Sequence, residues 1–217
     1  MKTLTTKELL ANAFIESCQK VSFDKISIAD IVTPLGLNRN TFYYHFVDRS
    51  ELIQWIYRRD IALQLKKLTE LKNLIYLNEE KGVCSEFPYY VFIKSGIRSI
   101  DNSPFFSAFN ACLQNRRKYY ANIFSGEERS SFESYLYALY LPALTKDIEF
   151  ILSKRYLNQE DLSFLAEFYT GAFLSYFKRR LYDKKATDYT TGMGSFGNII
   201  HSSLEQEIRE QQLSRRL

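Results

Sequence analysis

Between Ser27 and Phe46 the chain reads SIADIVTPLGLNRNTFYYHF. Ile28, Ile31, Val32 and Leu35 recur there at i, i+3, i+4 and i+7, the apolar stripe of a short helix. Ser27 stands before the first of them and Asp30 three residues on, so hydroxyl and carboxylate can each bond the other residue's amide in a capping box. Gly36 falls where the chain must leave this helix through a left-handed conformation, which costs glycine least. Asn38 is placed to cap a second helix. Leu37 before the cap and Phe42 after it occupy the positions of a hydrophobic staple. The pattern predicts two short helices joined by a tight turn. Phe42 and Phe46 face inward, Arg39, Asn40 and Tyr43 face outward, and Tyr44 lies beside them.

The same patterning extends along the chain. Thr5 or Thr6 caps a first helix whose apolar face is Leu9, Leu10, Ala13, Phe14, Cys18 and Val21. That helix completes a three-helix core, since two short helices bury too little by themselves. Asp48 or Ser50 opens a helix with Leu52, Trp55, Ile56, Leu63, Leu68, Leu71 and Ile75 on a drifting stripe. At about 25 residues it would span nearly 40 Å, with Arg58 and Arg59 on a solvated face. NEEKGVCS breaks the pattern, and Phe87 to Ile100 reads as a further helix. Ser103-Pro104 restarts the chain as a cap followed by proline at the first helical position. Phe105, Phe106, Phe109 and Leu113, then Tyr119, Tyr120 and Phe124, form one continuing apolar side. A helical pattern from Glu127 to Tyr156 contains Pro142, where a kink or local break is expected. Another runs from about Asp161 to Tyr182, with Gly171 and Ala172 small enough for a close helix approach. A last helix ends near Leu213. The fold class expected is all-α, with a helix-turn-helix head over residues 1–48 and a helical body over 49–217.

Composition narrows the classes. The 217 residues can bury a sizeable core, and 8 Gly and 4 Pro disfavour a turn-rich β fold. Net charge is only +4, and residues 1–60 hold 8 Lys/Arg against 7 Asp/Glu. Bulk charge therefore permits a nucleic-acid partner without demanding one. Cys18, Cys84 and Cys112 are scattered, odd in number and without a CxxC pair. They suit buried thiols in a reduced cytoplasm better than disulfides or a zinc site. MKTLTTKELL has no apolar h-region and no apolar run approaches a membrane span, so a cytoplasmic chain without membrane partners is expected.

An enzyme is disfavoured. The two histidines, His45 and His201, have no ligand-spaced partner. No phosphate loop, nucleophile elbow or paired-carboxylate motif is readable. Gly192, Gly194 and Gly197 in GMGSFG match the spacing of a dinucleotide fingerprint, but no strand precedes them and no βαβ unit follows. No cofactor, metal or catalytic residue is assigned.

The outward face of the second short helix suits DNA, although a helical hairpin whose polar residues merely meet water has the same outline. NRNTFYYHFVDRSELI resembles the recognition helix and following helix start of the TetR/AcrR family of bacterial regulators. Thr41, Phe42, Tyr43, His45, Phe46 and Arg49 carry the match, with Ser27 at the usual Ser/Thr start of the preceding helix. The variant TFYYHF and the aromatic remainder are similar to the branch that includes dihydroxyacetone-kinase regulators. The resemblance implies a homodimer, paired through the last two helices, on a palindromic operator in the major groove of double-stranded DNA. It also implies a long helix that carries ligand-driven movement from body to head. Arginine can bond guanine twice and asparagine can bond adenine in both directions, so Arg39 and Asn40 are expected on base edges, followed by Asn38 and Tyr44. Ser27, Thr41, Tyr43, His45 and Arg49 are expected on phosphates. The body would sense a small-molecule effector that releases a repressor from its operator. Phe109, Tyr135, Tyr169 and Phe173 are the candidate pocket wall, though at helical spacing such residues also serve as plain core. The alternative is a TetR-like protein that works through a partner protein and senses no small ligand.

Overall fold

A computed structural model describes residues 4–68, 73–77, 84–96, 99–152, 158–183 and 185. The head opens with α1 (Thr6–Lys20), whose cap is Thr5 in a capping box with Glu8. Helix α2 (Ile28–Val32) starts with the expected Ser27–Asp30 box. It then tightens into a 3-10 turn over Thr33–Leu35, because Pro34 has no amide to continue an α-helix. Gly36 follows at φ 67° and ψ 19°. Its amide bonds the Thr33 carbonyl at 3.0 Å and that of Leu37 bonds the Val32 carbonyl at 3.0 Å, a Schellman ending. Helix α3 (Arg39–His45) leaves from this turn at an angle fixed by the cap on Asn38.

Helix α4 (Arg49–Leu65) is shorter than its pattern predicted. A 3-10 turn over Lys66–Leu68 ends it, and Asn73 is left-handed at φ 63°. Two stretches expected as helix are strands: β1 (Leu74–Leu77), β2 (Tyr90–Gly96) and β3 (Ser99–Asp101) form an antiparallel sheet in the order β1-β2-β3. Leu74 faces Ile93 and Leu77 faces Tyr90 in its register. A short apolar run carries no period that separates helix from strand. The β-branched and aromatic residues Ile75, Tyr76, Tyr90, Val91, Phe92 and Ile93 favour the pleated surface. The fold remains all-α in class with this one small sheet packed on α5.

The aromatic stretch after Ser103 is also divided. Helix α5 (Ser103–Asn115) and α6 (Arg117–Ser125) part at Arg116, whose φ of −131° and ψ of 39° leave the helical region. Asn102, not Ser103, precedes α5, and the Ser103 amide bonds the Asp101 carboxylate at 2.9 Å. Helix α7 (Arg129–Leu152) stays helical through Pro142. Both Pro142 and Ala138, whose carbonyl the missing amide would have bonded, are exposed. Helix α8 (Gln159–Tyr182) is capped by Asn158. Residues 186–217 lie outside the described part, and with them the GMGSFG joint, His201 and the expected last helix.

One apolar cluster runs through head and body, from Leu10 and Phe14 to Phe173 and Leu181. Helix α4 is buried on nearly every side, including Arg58, Arg59 and Asp60. The two arginines are thus not the solvated face that their charge suggested. Arg58 is 0% exposed. It donates to the carbonyls of Cys84 at 3.2 Å and Phe87 at 2.6 Å, and its guanidinium lies 4.9 Å from the Tyr89 ring. Asp60 meets Arg116 at 2.7 Å and accepts the Tyr120 hydroxyl at 3.0 Å. Asp147 of α7 is buried too and accepts a hydrogen bond from the Tyr90 hydroxyl. Its desolvation raises the carboxyl to about 6, against the lowering effect of hydrogen bonds from Tyr90 and Asn102.

Replacing Arg58 by alanine should cost about 3 kcal/mol or more, because two buried carbonyls lose their donor and a void opens. Urea denaturation measures this, and a change within about 0.5 kcal/mol, as for an ordinary surface arginine, would contradict the burial described. Asp147 holds its proton more tightly folded than unfolded, where a carboxyl titrates near about 3.9. Its contribution is therefore present at low pH and is lost as pH rises from about 4 through about 6. Asp147→Asn should flatten that part of the stability–pH curve, and an unchanged slope would remove Asp147 as its source.

Candidate nucleic-acid interface and body cavity

Helix α3 is held from beneath and bare above. Phe42 and Phe46 are buried, with their rings 5.9 Å apart, and Trp55 lies 6.0 Å beyond Phe46. With its underside fixed this way, α3 presents Arg39 and Asn40 to solvent, with Tyr43 55% and Tyr44 84% exposed. The His45 ring is half-buried and meets the Tyr44 ring edge-on at 4.9 Å. Val47, 76% exposed just past the helix, extends this surface with an apolar side chain that no sequence signal singled out.

Other residues expected at bases or phosphates have partners already. The Asn38 carboxamide oxygen accepts the Thr41 amide at 2.9 Å and the Thr41 hydroxyl at 3.2 Å. Its NH2 group is the part left to meet a base. The Ser27 hydroxyl donates to the Asp30 carboxylate at 2.7 Å, and the Ser27 amide donates to the same carboxylate at 2.8 Å. These bonds hold the exposed Asp30 carboxyl below its ordinary value. Arg49 donates to the Ile26 carbonyl at 2.7 Å and stacks 4.5 Å over the Phe23 ring. Its guanidinium thus ties α4 to the start of α2, and only its remaining donors can turn outward.

In the body, a cavity of about 190 Å³ lies among α5, α6, α7 and α8. Phe109, Leu113, Leu136 and Phe177 give it an apolar wall, and Glu133 and Lys178, paired at 3.0 Å, give it a charged edge. Gly171 faces it, and a side chain there would meet nothing within 4 Å, so the glycine adds room. Of the four residues expected to form a pocket, Phe109 does so. Phe173 packs instead into the aromatic core with Phe105 at 6.1 Å and Tyr140 at 5.6 Å. Tyr135 lies 3.5 Å from Arg58, and Tyr169 packs beside the small cluster of Ile148, Leu162 and Ala166. The Glu133–Lys178 pair joins two helices distant in sequence, so no local spacing could have revealed it.

Cys18, Cys84 and Cys112 are all buried and free. Burial pushes the Cys18 thiol up to about 12 despite the nearby Arg49. Cys112 is likewise raised, so neither is a thiolate primed for redox chemistry. Among the described residues, no group of His, Cys, Asp and Glu could hold a metal ion, and no helix is long and apolar enough to cross a membrane.

The fold and this bare, capped helix define a helix-turn-helix protein with a helical body. A family described as "Transcriptional regulator C-terminal region", of the TetR type, matches residues 101–190. The HTH-type dhaKLM operon transcriptional activator DhaS of Lactococcus lactis subsp. lactis (strain IL1403) is 34% identical over 61 residues. That stretch is 28% of this chain and 33% of the relative, so the match spans about a third of the relative's length. The solved structure of a dihydroxyacetone kinase operon activator DhaS superposes with a TM-score of 0.55 over 94% of this chain and 98% of that one. At 17% identity this second likeness speaks for the fold. The chain thus carries a match to a TetR-type C-terminal regulator region and is similar to regulators of that type.

Asn38→Ala removes the oxygen that accepts the Thr41 amide, and should cost about 1 kcal/mol of stability. Thermal unfolding reads it, and no loss would mean that α3 does not depend on its cap.

Proposed function

We propose that this chain is a sequence-specific DNA-binding transcription regulator that reads the major groove with α3. The observation that carries the reading is that α3 buries Phe42 and Phe46 while leaving Arg39, Asn40, Tyr43 and Tyr44 in solvent. Arg39 and Asn40 address base edges, with Asn38 and Tyr44 at the margins. Thr41, Tyr43 and His45 address phosphates. Ser27 and Arg49 join them to the extent that they release Asp30 and the Ile26 carbonyl. In this reading residues 1–48 are the head and 49–217 the body.

Helix-turn-helix proteins commonly bind as dimers, with half-sites roughly 34–36 Å apart. A dimer joined through α8 and the segment after it would bury an apolar face that α8 leaves open. Phe164 is 64% and Phe168 57% exposed there, with their rings 6.0 Å apart. The sign of regulation follows the relative, which is named an activator. Activation is therefore the better-supported sign than the repression that the family resemblance suggested.

An effector in the body cavity would be small and mainly apolar, because about 190 Å³ lies below the roughly 300 Å³ lower range of drug-sized pockets. The second reading is a body that acts through a partner protein. The modest cavity favours it over direct sensing.

Selection of bound duplexes from a random pool, at stated salt, tests the proposal. It should return a palindrome, and binding no stronger than to arbitrary DNA would count against sequence-specific reading. On the selected duplex, Arg39→Ala should cost about 1–3 kcal/mol and relax the preference at one base pair per half-site. Tyr43→Phe should weaken all duplexes about equally. An Arg39→Ala protein with unchanged affinity and preference would overturn the base-reading assignment.

A further inference from the structure

The first head helix ends against the body. The last carbonyls of a helix lack partners within it, and at α1 two acceptors in this region are met from α6. The Asn122 NH2 donates to the Cys18 carbonyl at 2.7 Å and to the Val21 carbonyl at 2.9 Å. The oxygen of the same side chain accepts the Phe23 amide at 3.0 Å. Beside it, the Glu127 amide donates to the Asp24 carboxylate at 2.9 Å. A Cβ at Gly126 would stand 3.0 Å from the Phe23 ring and 3.1 Å from the Asp24 carboxylate, so the corner between α6 and α7 is pressed onto this segment. From the other side Arg49 stacks on Phe23 and bonds the Ile26 carbonyl. The segment from Val21 to Ile26, out of which α2 departs, is thus gripped by both α4 and α6.

We propose that Asn122 is a positioning residue that sets the DNA-reading head on the body: it closes the end of α1 from α6 and fixes the segment that launches α2 and, through it, α3. The inference rests on the reading of α3 as the DNA-contacting helix. The choice of asparagine is chemically specific. Two carbonyls and one amide require two donors and one acceptor on a planar group, which a carboxamide supplies and a carboxylate does not. Phe124, on the same turn of α6, lines the body cavity.

Hydrogen exchange of the full chain, read amide by amide, tests the joint. Asn122→Asp keeps the acceptor for Phe23 but sets negative oxygen against two carbonyls. It should speed exchange at Phe23 and its neighbours by roughly tenfold or more while α5 and α7 keep their protection. The folded variant should also bind the selected duplex several-fold more weakly. Asp24→Ala breaks the same joint from the head side and should reproduce both effects, and the double variant should fall short of their sum. Arg39→Ala should weaken binding and leave exchange at Phe23 unchanged. If Asn122→Asp fails to fold, Asp24→Ala carries the test. Unchanged exchange overturns the joint. Faster exchange with full duplex affinity reduces Asn122 to a cap and overturns the positioning role. A wild-type chain that selects no duplex refutes the DNA reading, while the exchange data still decide whether the joint exists.

Discussion

The arrangement depends on three consecutive charges buried in the middle of α4. Removing Arg58, Arg59 and Asp60 from water costs several kcal/mol per ion unless partners replace the lost hydration. The partners come from elsewhere in the chain. Arg58 draws the carbonyls of Cys84 and Phe87 onto α4, which fixes where the segment before β2 must lie. Asp60 draws Arg116, and the chain leaves helical geometry at that residue, between α5 and α6. Tyr120 adds its hydroxyl to the same carboxylate from the first turns of α6. Such a network adds little net stability over an apolar core, yet it is costly to break, so it acts by selecting one arrangement.

Around that network the core is made of rings. Phe105, Phe109, Tyr140, Phe173 and Phe177 meet mostly edge to face or tilted, at centroid separations from 4.9 to 6.4 Å. Edge-to-face pairs gain from the ring quadrupoles beyond the area that they bury. Three tyrosine hydroxyls in this region are met inside: Tyr57 and Tyr140 by one another, and Tyr90 by Asp147. The aromatic richness of the sequence beyond residue 75 thus serves packing first, and the cavity occupies what remains between Phe109, Phe177 and the space left open by Gly171.

What the sequence disclosed follows the range of each signal. The Ser27–Asp30 box, the left-handed Gly36, the Asn38 cap and the inward Phe42 and Phe46 are all set within a few residues, and each is where its local chemistry required. Arg58 read as surface because the carbonyls that permit its burial lie at Cys84 and Phe87, and Arg59 because its neighbour Asp60, 3.3 Å away, is itself buried only through Arg116 and Tyr120. The strand at Leu74–Leu77 read as helix because a short apolar run has no distinguishing period, and its partner strand begins only at Tyr90. The break at Arg116 was hidden because aromatic residues continue on both sides of it. The outward face of α3 was legible, whereas the commitments of Ser27 to Asp30 and of Arg49 to Phe23 and Ile26 emerged only from their contacts.

Because one apolar cluster passes from Leu10 through α4 to Leu181, head and body do not part along a water-filled seam. Close-packed interiors resist gradual deformation and switch between discrete arrangements. A shift of the head relative to the body would therefore act at polar latches on the rim of the core, where bonds can be exchanged without opening a void. Asn122 and Glu127 on one side of the Val21–Ile26 segment, and Arg49 on the other, are such latches. Phe23 lies between them fully buried, so the segment can tilt about that ring only if the grips on its two sides change together. The residues that decide how α3 is aimed are then not confined to α3, and those on the body side were invisible to a motif confined to the head.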